Sequence, residues 1–208
     1  MFIEWGFNTP LKSLISFSMN KQNFYDLNFD QLRNFLIEKG EIEDKKAKMR
    51  AQQMFNAVYK KNIKNFDELT TFGLELREKI KNLISLEKPK IIDIQKSKDG
   101  TIKFLLELKD KRNVETVLIP DKSQSRYTIC LSVSVGCYLS CEFCATAQIS
   151  KKLVRNLTPG EIISQIILCK DYIDDWSTQK KITNQVLMGE GSPFLNLDNV
   201  KVAIDNQK

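Results

Sequence analysis

The sequence predicts an α/β protein with a small N-terminal helical domain, then short antiparallel strands, then the start of a parallel βα barrel. Two observations support this class. Apolar residues recur at helical spacing as far as about residue 83, and beyond Pro89 they are replaced by runs rich in strand-forming residues. After residue 126, a strand, a loop, a helix and a second strand follow one another, which is the order of a βαβ unit with parallel strands.

The composition is that of a globular chain with a basic surface. Of the 208 residues, 42% are hydrophobic, which is enough for a substantial core, and 32 Lys and Arg outnumber 26 Asp and Glu. The resulting charge of +6 suits a polyanionic partner such as RNA, although a basic protein without such a partner has the same balance. No apolar run reaches the length of a membrane span. Glu4, Pro10 and Lys12 interrupt a signal-like stretch, so we expect residues 1–22 to form an irregular N-terminal extension.

Residues 23–88 are predicted to form a helical accessory domain. Its first helix follows Asn28, which suits an N-cap, and ends at Gly40. The second helix spans Lys45–Lys61 and the third spans Leu74–Leu83. Lysines crowd the ends and the outer face of the second helix, where they either contact RNA phosphates or form a solvated face. The sequence leaves both interpretations open.

Residues 89–126 are predicted to form a β hairpin linker region. Its two strands are Ile91–Gln95 and Thr101–Leu108, joined by an Asp-Gly turn at Lys98–Gly100. A third strand is predicted at Val114–Ile119. These runs indicate antiparallel pairing.

Residues 127–208 are predicted to begin a parallel barrel, starting with a strand that leads into a cysteine-rich loop. Positions 158–161 read Thr-Pro-Gly-Glu, which supplies an N-cap, a proline at the first helical position and a capping-box acid. The helix that follows extends to about Trp176, and its apolar periodicity buries Cys169 as a core thiol. Asn184–Met188 is predicted to be the next strand. Just before this helix, Arg155 and Asn156 are expected to cap or buttress its start, with an RNA contact as the alternative.

Three cysteines in the loop carry the chemistry of the sequence. Cys137, Cys141 and Cys144 have C-x3-C-x2-C spacing, so their thiolates can converge on one inorganic centre. Structural zinc closes its shell with four ligands, and the chain has no histidine. A four-iron four-sulfur (4Fe-4S) cluster with one iron left open therefore fits better, while a zinc site and a buried cysteine group remain alternatives. A thiolate-held cluster needs a reducing compartment, which predicts a cytoplasmic protein.

The aromatic residue before the last of these cysteines narrows the interpretation. Cys137-x3-Cys141-x-Phe143-Cys144 resembles the cluster-binding loop of the radical S-adenosylmethionine superfamily. The resemblance implies a 4Fe-4S cluster whose free iron binds S-adenosyl-L-methionine. It also implies an electron donor for that cluster.

Further segments resemble one family within this superfamily, the RlmN family of dual-specificity RNA methyltransferases. They are Asp99–Lys103, Val114–Pro120, Leu153–Thr158, Glu161–Ile162 and Gly189–Asn199, and the resemblance covers about residues 23–208. It implies methylation of carbon 2 of adenine in large-subunit ribosomal RNA and in transfer RNA. It also makes 127–208 a truncated radical-SAM barrel.

The same resemblance assigns roles to individual residues. Glu115 stands where the family has its proton acceptor, and Cys130 stands where the family has its resolving cysteine. Gly191 and Ser192 fall in the loop that binds S-adenosylmethionine. Without the resemblance, the better interpretation of Glu115 is a polar residue on the open face of a strand, and a buried strand residue is the alternative for Cys130.

Two departures from the family pattern affect the expected activity. The family has glutamate where this chain has Ser192, which is shorter and uncharged. Glu190, at the end of a strand, is expected to point in the wrong direction to replace it. Family members also carry a methyl-accepting cysteine near the C-terminus, and no cysteine follows Cys169 here. We therefore expect the chain not to methylate RNA by itself, and expect a separate chain to supply the missing half. The alternative is a non-catalytic RNA-binding or iron–sulfur remnant of such an enzyme.

Overall fold

The computed structural model describes residues 21–121, 123, 125–139, 141–149 and 155–207. Of the expected N-terminal extension, only residues 21–22 fall within these ranges. The described residues form a mixed α/β fold, as the sequence predicts. Within them, no helix is both long enough and apolar enough to cross a membrane.

The helical part begins and ends on two short strands that pair with each other in parallel. Its elements are β1 (Gln22–Asn23), α1 (Phe29–Glu38), α2 (Asp44–Phe55) with a π-helical turn after it (Asn56–Lys60), α3 (Leu74–Leu83) and β2 (Ile84–Ser85). Asn28 caps α1 as predicted, because its side chain accepts a hydrogen bond from the backbone N–H of Gln31 and the Gln31 side chain accepts one in return. The predicted boundaries of the third helix are confirmed. The fully buried side chains of this part include Leu32, Leu36, Ala47, Met54 and Ile80.

The rest of the described chain is organised by a five-stranded sheet. In chain order its elements are β3 (Lys90–Lys96), β4 (Ile102–Glu107), β5 (Asn113–Asp121), β6 (Arg126–Cys130), β7 (Ser134–Val135), α4 (Ala145–Ile149), β8 (Arg155–Asn156), α5 (Pro159–Ile173), β9 (Ile182–Val186) and α6 (Leu197–Asp205). The sheet order is β3-β4-β5-β6-β9, with antiparallel pairing from β3 to β6 and parallel pairing of β9 with β6. The hairpin strands therefore continue directly into the strands of the βαβ unit.

Helix α5 covers one face of this sheet. Its predicted start is confirmed, since the Thr158 side chain accepts from the Glu161 backbone N–H and the Glu161 carboxylate accepts from Thr158. Phe104 of β4 meets Tyr172 of α5 edge to face, with ring centroids 5.0 Å apart. Cys169 is 1% exposed, which confirms its prediction as a core thiol, and burial raises its pKa to about 12.

The end of α5 and the position of β9 differ from the sequence prediction. Helix α5 stops at Ile173 because Asp174 adopts the left-handed conformation, with φ of 51°, and ends the helix. The carboxylate of Asp175 then accepts hydrogen bonds from the backbone N–H groups of Lys181 and Ile182, which fixes the entry into β9. Strand β9 consequently lies two residues earlier than predicted.

Asp171 of α5 joins the helical part to the sheet. Its carboxylate accepts hydrogen bonds from Asn62, Lys64, Lys88 and the Trp176 indole, each at 2.9 Å. Burial by itself raises the pKa of Asp171, but the hydrogen bonds from these lysines and Asn62 outweigh it and lower the pKa to about 2.

Candidate functional site

The segment after β6 is held against its neighbours by buried amide side chains. Gln165 of α5 accepts from the backbone N–H of Ser132 and donates to the carbonyl of the same residue, both at 2.9 Å. The Gln165 amide oxygen also accepts from the hydroxyl of Thr116 at 2.6 Å. The side-chain amide of Asn196 donates to the carbonyl of Val133 at 2.8 Å. The path from the sheet to the first loop cysteine is therefore fixed.

The cysteine loop starts at a turn that glycine makes possible. Gly136 is buried and has φ of 74°, and Cys137 follows it at 9% exposure. Cys141 and Cys144 are half-buried, and all five cysteines of the chain are free thiols. Cys144 directly precedes α4, and hydrogen bonds from the backbone N–H groups of Ala147 and Thr146 lower its pKa.

The chemistry of this donor set fits a thiolate-bound cluster. Three free thiols lie in one short loop, one of them is biased towards the thiolate form, and no histidine competes as a ligand. Cys137, Cys141 and Cys144 are thus the residues that could hold such a group. In the ranges that the structure describes, no three His, Cys, Asp or Glu side chains converge as ligands of a single metal ion.

Glu115 and Cys130 lie on the same face of the sheet, opposite the face that α5 covers. Cys130 pairs with Val117, which is two residues beyond Glu115 on β5 and therefore on the same face. Diagonal neighbours of this kind have Cα atoms about 7–8 Å apart. Glu115 forms a 2.9 Å salt bridge with Lys103, and burial raises the pKa of Cys130 while a backbone hydrogen bond from Met188 partly offsets this. The fold thus brings these two predicted residues close together.

The glycine-rich turn after β9 lies directly on the segment that leads to the cysteines. Gly191 has φ of 91°, and a Cβ there would collide with the Ser134 hydroxyl, so this position requires glycine. Ser192 is half-buried, and its carbonyl accepts from the Leu195 backbone N–H. The structure therefore places Gly191 beside the cysteine loop entry, with Ser192 immediately after it.

Glu190 occupies a position that sequence reasoning did not predict. Its carboxylate accepts a hydrogen bond from the backbone N–H of Gly136 at 3.1 Å. Burial raises the pKa of Glu190, the hydrogen bond from Gly136 lowers it, and the nearby charge of Glu115 raises it further. The signal in the sequence was the carboxylate between two glycines, Gly189 and Gly191.

The expected buttress of α5 is also present. The guanidinium of Arg155 donates two hydrogen bonds to the Glu161 carboxylate, at 2.7 and 2.8 Å, and one to Asp110 at 2.7 Å. The capping-box acid is thereby tied to the residue just after the cysteine loop.

The sheet carries a cysteine loop after one strand and a glycine-rich turn after the parallel strand beside it. The fold of the chain is similar to that of a radical S-adenosylmethionine methyltransferase. A crystal structure of such an enzyme from Sphaerobacter thermophilus superposes with a TM-score of 0.74 and 30% sequence identity. The match covers 88% of this chain and 51% of that one.

Sequence comparisons show which proteins the chain is similar to. Residues 22–86 match the model of the N-terminal domain of ribosomal RNA large subunit methyltransferases of the RlmN type. The chain is 38% identical to the dual-specificity RNA methyltransferase RlmN of Ruegeria sp. strain TM1040 over 191 residues, covering 88% of this chain and 47% of the relative. It is 40% identical to RlmN of Oleidesulfovibrio alaskensis over 176 residues, covering 84% and 47% respectively. The resemblance to the N-terminal part of RlmN is confirmed, and the chain spans about half the length of these relatives.

Proposed function

We propose that this chain forms the N-terminal part of a radical S-adenosylmethionine methyltransferase that modifies carbon 2 of adenine in large-subunit ribosomal RNA and transfer RNA. The observation that carries the proposal is the placement of Glu115 and Cys130 on one open face of the sheet, next to the edge where the cysteine loop begins. The similarity to RlmN over most of the chain supports it.

Carbon 2 of adenine is not nucleophilic, so it requires radical chemistry, which a cluster and S-adenosylmethionine supply when they are bound. Cys137, Cys141 and Cys144 would hold the cluster. Glu115 would accept the proton from carbon 2, and its 2.9 Å salt bridge with Lys103 orients the carboxylate on the open face of the sheet. Cys130 would attack the sulfur of the methyl-carrying cysteine: a disulfide forms between the two cysteines, the bond from that sulfur to the transferred carbon breaks, and that carbon takes a proton and remains on the adenine as the methyl group.

The helical part is proposed to dock the RNA. Lys45, Lys48, Lys60 and Lys61 are exposed on and just beyond α2, and none of them forms a salt bridge among the described residues. Unpaired ammonium groups on a rigid helix can contact phosphates without first breaking an internal ion pair. This favours phosphate contacts over a merely solvated face.

The second candidate function is that of a non-catalytic, RNA-binding remnant of such an enzyme, and the residue at position 192 favours it. Ser192 cannot make the charge-assisted contact with the amino group of S-adenosylmethionine that the family glutamate is expected to make. Under this hypothesis, RNA binding survives and cofactor cleavage is lost.

The deciding experiment starts from protein reconstituted anaerobically with iron and sulfide. The protein is incubated with a strong reductant, S-adenosylmethionine and ribosomal RNA, and 5′-deoxyadenosine is measured. Slow formation of 5′-deoxyadenosine that depends on Cys141 supports the radical enzyme. RNA binding without any cleavage in the wild type, and with no gain in a Ser192→Glu variant, supports the remnant.

A further inference from the structure

We infer that Glu190 is a positioning residue that fixes the entry of the cysteine loop and thereby sets the place of Cys137. This inference rests on the proposed role of the loop in the preceding section. The carboxylate of Glu190, in the turn after β9 and two residues before Ser192, holds this entry in place.

The main chain of Glu190 is first locked onto the segment after β6. Its carbonyl accepts from the backbone N–H groups of Val133 and Ser134, at 2.8 and 3.2 Å. Its N–H donates to the hydroxyl of Ser132 at 3.0 Å, and that hydroxyl donates to the carbonyl of Glu115 at 2.6 Å. The backbone of Glu190 has no freedom to move independently of this segment, so the direction of its side chain is set.

The side chain of Glu190 contacts Gly136, which lies two residues beyond Ser134, the last residue that the Glu190 backbone binds. Among the described residues, strand β7 ends at Val135, and Gly136 follows directly after it. The Glu190 carboxylate accepts from the N–H of Gly136, while the hydroxyl of Ser134 donates to the carbonyl of Gly136 at 2.6 Å. Because Gly136 is buried, both of its polar groups need such partners.

The location of Glu190 is otherwise unfavourable for a carboxylate. It is half-buried and lies near Glu115, which carries the same charge. A residue chosen only for solubility would not be placed there. The contact with Gly136 explains the placement, because Gly136 immediately precedes the most buried of the three loop cysteines, Cys137.

The test uses the full chain, metal-free and reduced, so that it does not depend on cofactor activity. Each cysteine is labelled with iodoacetamide, and the rate at each site is followed by peptide mass spectrometry. In Glu190→Ala, the labelling rate of Cys137 should rise about tenfold, the effect of roughly 1.4 kcal/mol of lost restraint. Glu190→Gln keeps a side-chain oxygen that can accept from Gly136 and should label Cys137 at a rate close to wild type.

Two controls separate local loosening from unfolding. Ser192→Ala changes the same turn without touching the contact and should leave Cys137 unchanged. Cys169 lies in the core and should stay protected in every variant. If Glu190→Ala exposes Cys169 as well, Glu190→Asp decides the question, because its carboxylate is one methylene too short to reach Gly136 and should by itself accelerate Cys137.

An unchanged Cys137 rate in Glu190→Ala with Cys169 protected overturns the inference. So does an unchanged rate in Glu190→Asp. These outcomes are independent of the proposed function: faster labelling without 5′-deoxyadenosine formation by the wild type keeps the inference and removes the radical enzyme. Cofactor cleavage by the wild type, with no change in the Cys137 labelling rate in Glu190→Ala, supports the radical enzyme and removes the inference.

Discussion

The side-chain amide of Gln165 pairs with both backbone polar groups of Ser132, in the way that a neighbouring strand would. Its oxygen accepts from the N–H and its nitrogen donates to the carbonyl, each at 2.9 Å. Both residues are completely buried. One helical side chain therefore supplies the backbone pairing that β5 does not provide beyond the Val117–Cys130 pair.

Replacing this amide should destabilise the protein strongly. Gln165→Leu keeps the volume but leaves the N–H and carbonyl of Ser132 and the hydroxyl of Thr116 without partners in a buried site. We expect the free energy of unfolding in urea to fall by about 2–5 kcal/mol, at 1–3 kcal/mol for each unsatisfied group with partial relaxation. Gln179→Leu, at an exposed position, is the control and should change it by less than about 0.5 kcal/mol. Equal effects of the two would contradict the role of the amide pair.

The Asp171 contacts predict a stability difference that depends on pH. Asp171→Asn removes the charge that Lys64 and Lys88 face, so at pH 7 the variant should be less stable by about 2 kcal/mol. The folded-state pKa of about 2 lies below the ordinary value of 3.8, so this stabilisation is complete above about pH 5 and is lost as the pH falls from 4 to 2. Urea denaturation at pH 7, 5 and 3 should show the difference shrinking only at the lowest pH. A difference that stays constant across the series would mean that the charge of Asp171 contributes nothing.

Iron incorporation should depend on the loop cysteines alone. Cys141→Ala removes one of three proposed ligands and should abolish iron uptake on anaerobic reconstitution, measured by iron analysis and cluster absorbance. Cys169→Ala, which alters a buried core thiol, should retain it. Stoichiometric zinc with no iron in anaerobically prepared wild-type protein would rule out the cluster.

RNA binding by the helical part should be weak and strongly dependent on salt. Phosphate contacts release counterions, so the affinity for structured RNA should fall steeply between low and physiological salt. In the full chain, Lys45→Gln with Lys48→Gln should reduce the slope of log affinity against log salt by roughly 1 for each lysine removed. Lys98→Gln, in the exposed turn between β3 and β4, serves as the matched control. An affinity that does not change with salt would return these lysines to a solvated face.

The chain by itself should not form 2-methyladenosine in ribosomal RNA. The proposed chemistry needs one cysteine to carry the methyl group besides the resolving one, and Cys169 is too buried to reach an RNA base. Nucleoside analysis of RNA after incubation with reconstituted protein, reductant and labelled S-adenosylmethionine checks this. Appearance of the modified nucleoside would show that Cys130 or another residue of this chain carries the methyl group.

The sequence correctly predicted features that depend on residues close to one another in the chain. The caps at Asn28 and Thr158 and the burial of Cys169 follow from residues within a few positions of one another, and the structure confirms all three. The contacts that position the site could not be predicted in this way. Asn62 and Asp171 are 109 residues apart in sequence, and Glu190 and Gly136 are 54 apart. Nothing in the neighbourhood of either member of a pair indicates its partner.

The pairing of the five strands into one sheet could not be predicted from the sequence for a related reason. Alternation of apolar residues shows that β5 and β6 are strands, but it does not show that β5 pairs with β6 or that β9 joins on the other side. The same holds for Glu115 and Cys130, whose closeness depends on that register. The resemblance gave each a role separately, and only the pairing shows that both share one face.

The two-residue ladder between β1 and β2 brings the two ends of the helical part together. Gln22 lies beside Ile84 and Asn23 beside Ser85, so the chain enters and leaves this part through adjacent positions. The helices between these positions form a closed insert whose two ends meet at one place. None of its residues belongs to the five-stranded sheet, so side-chain contacts such as those of Asn62 and Lys64 with Asp171 are what hold the insert against α5.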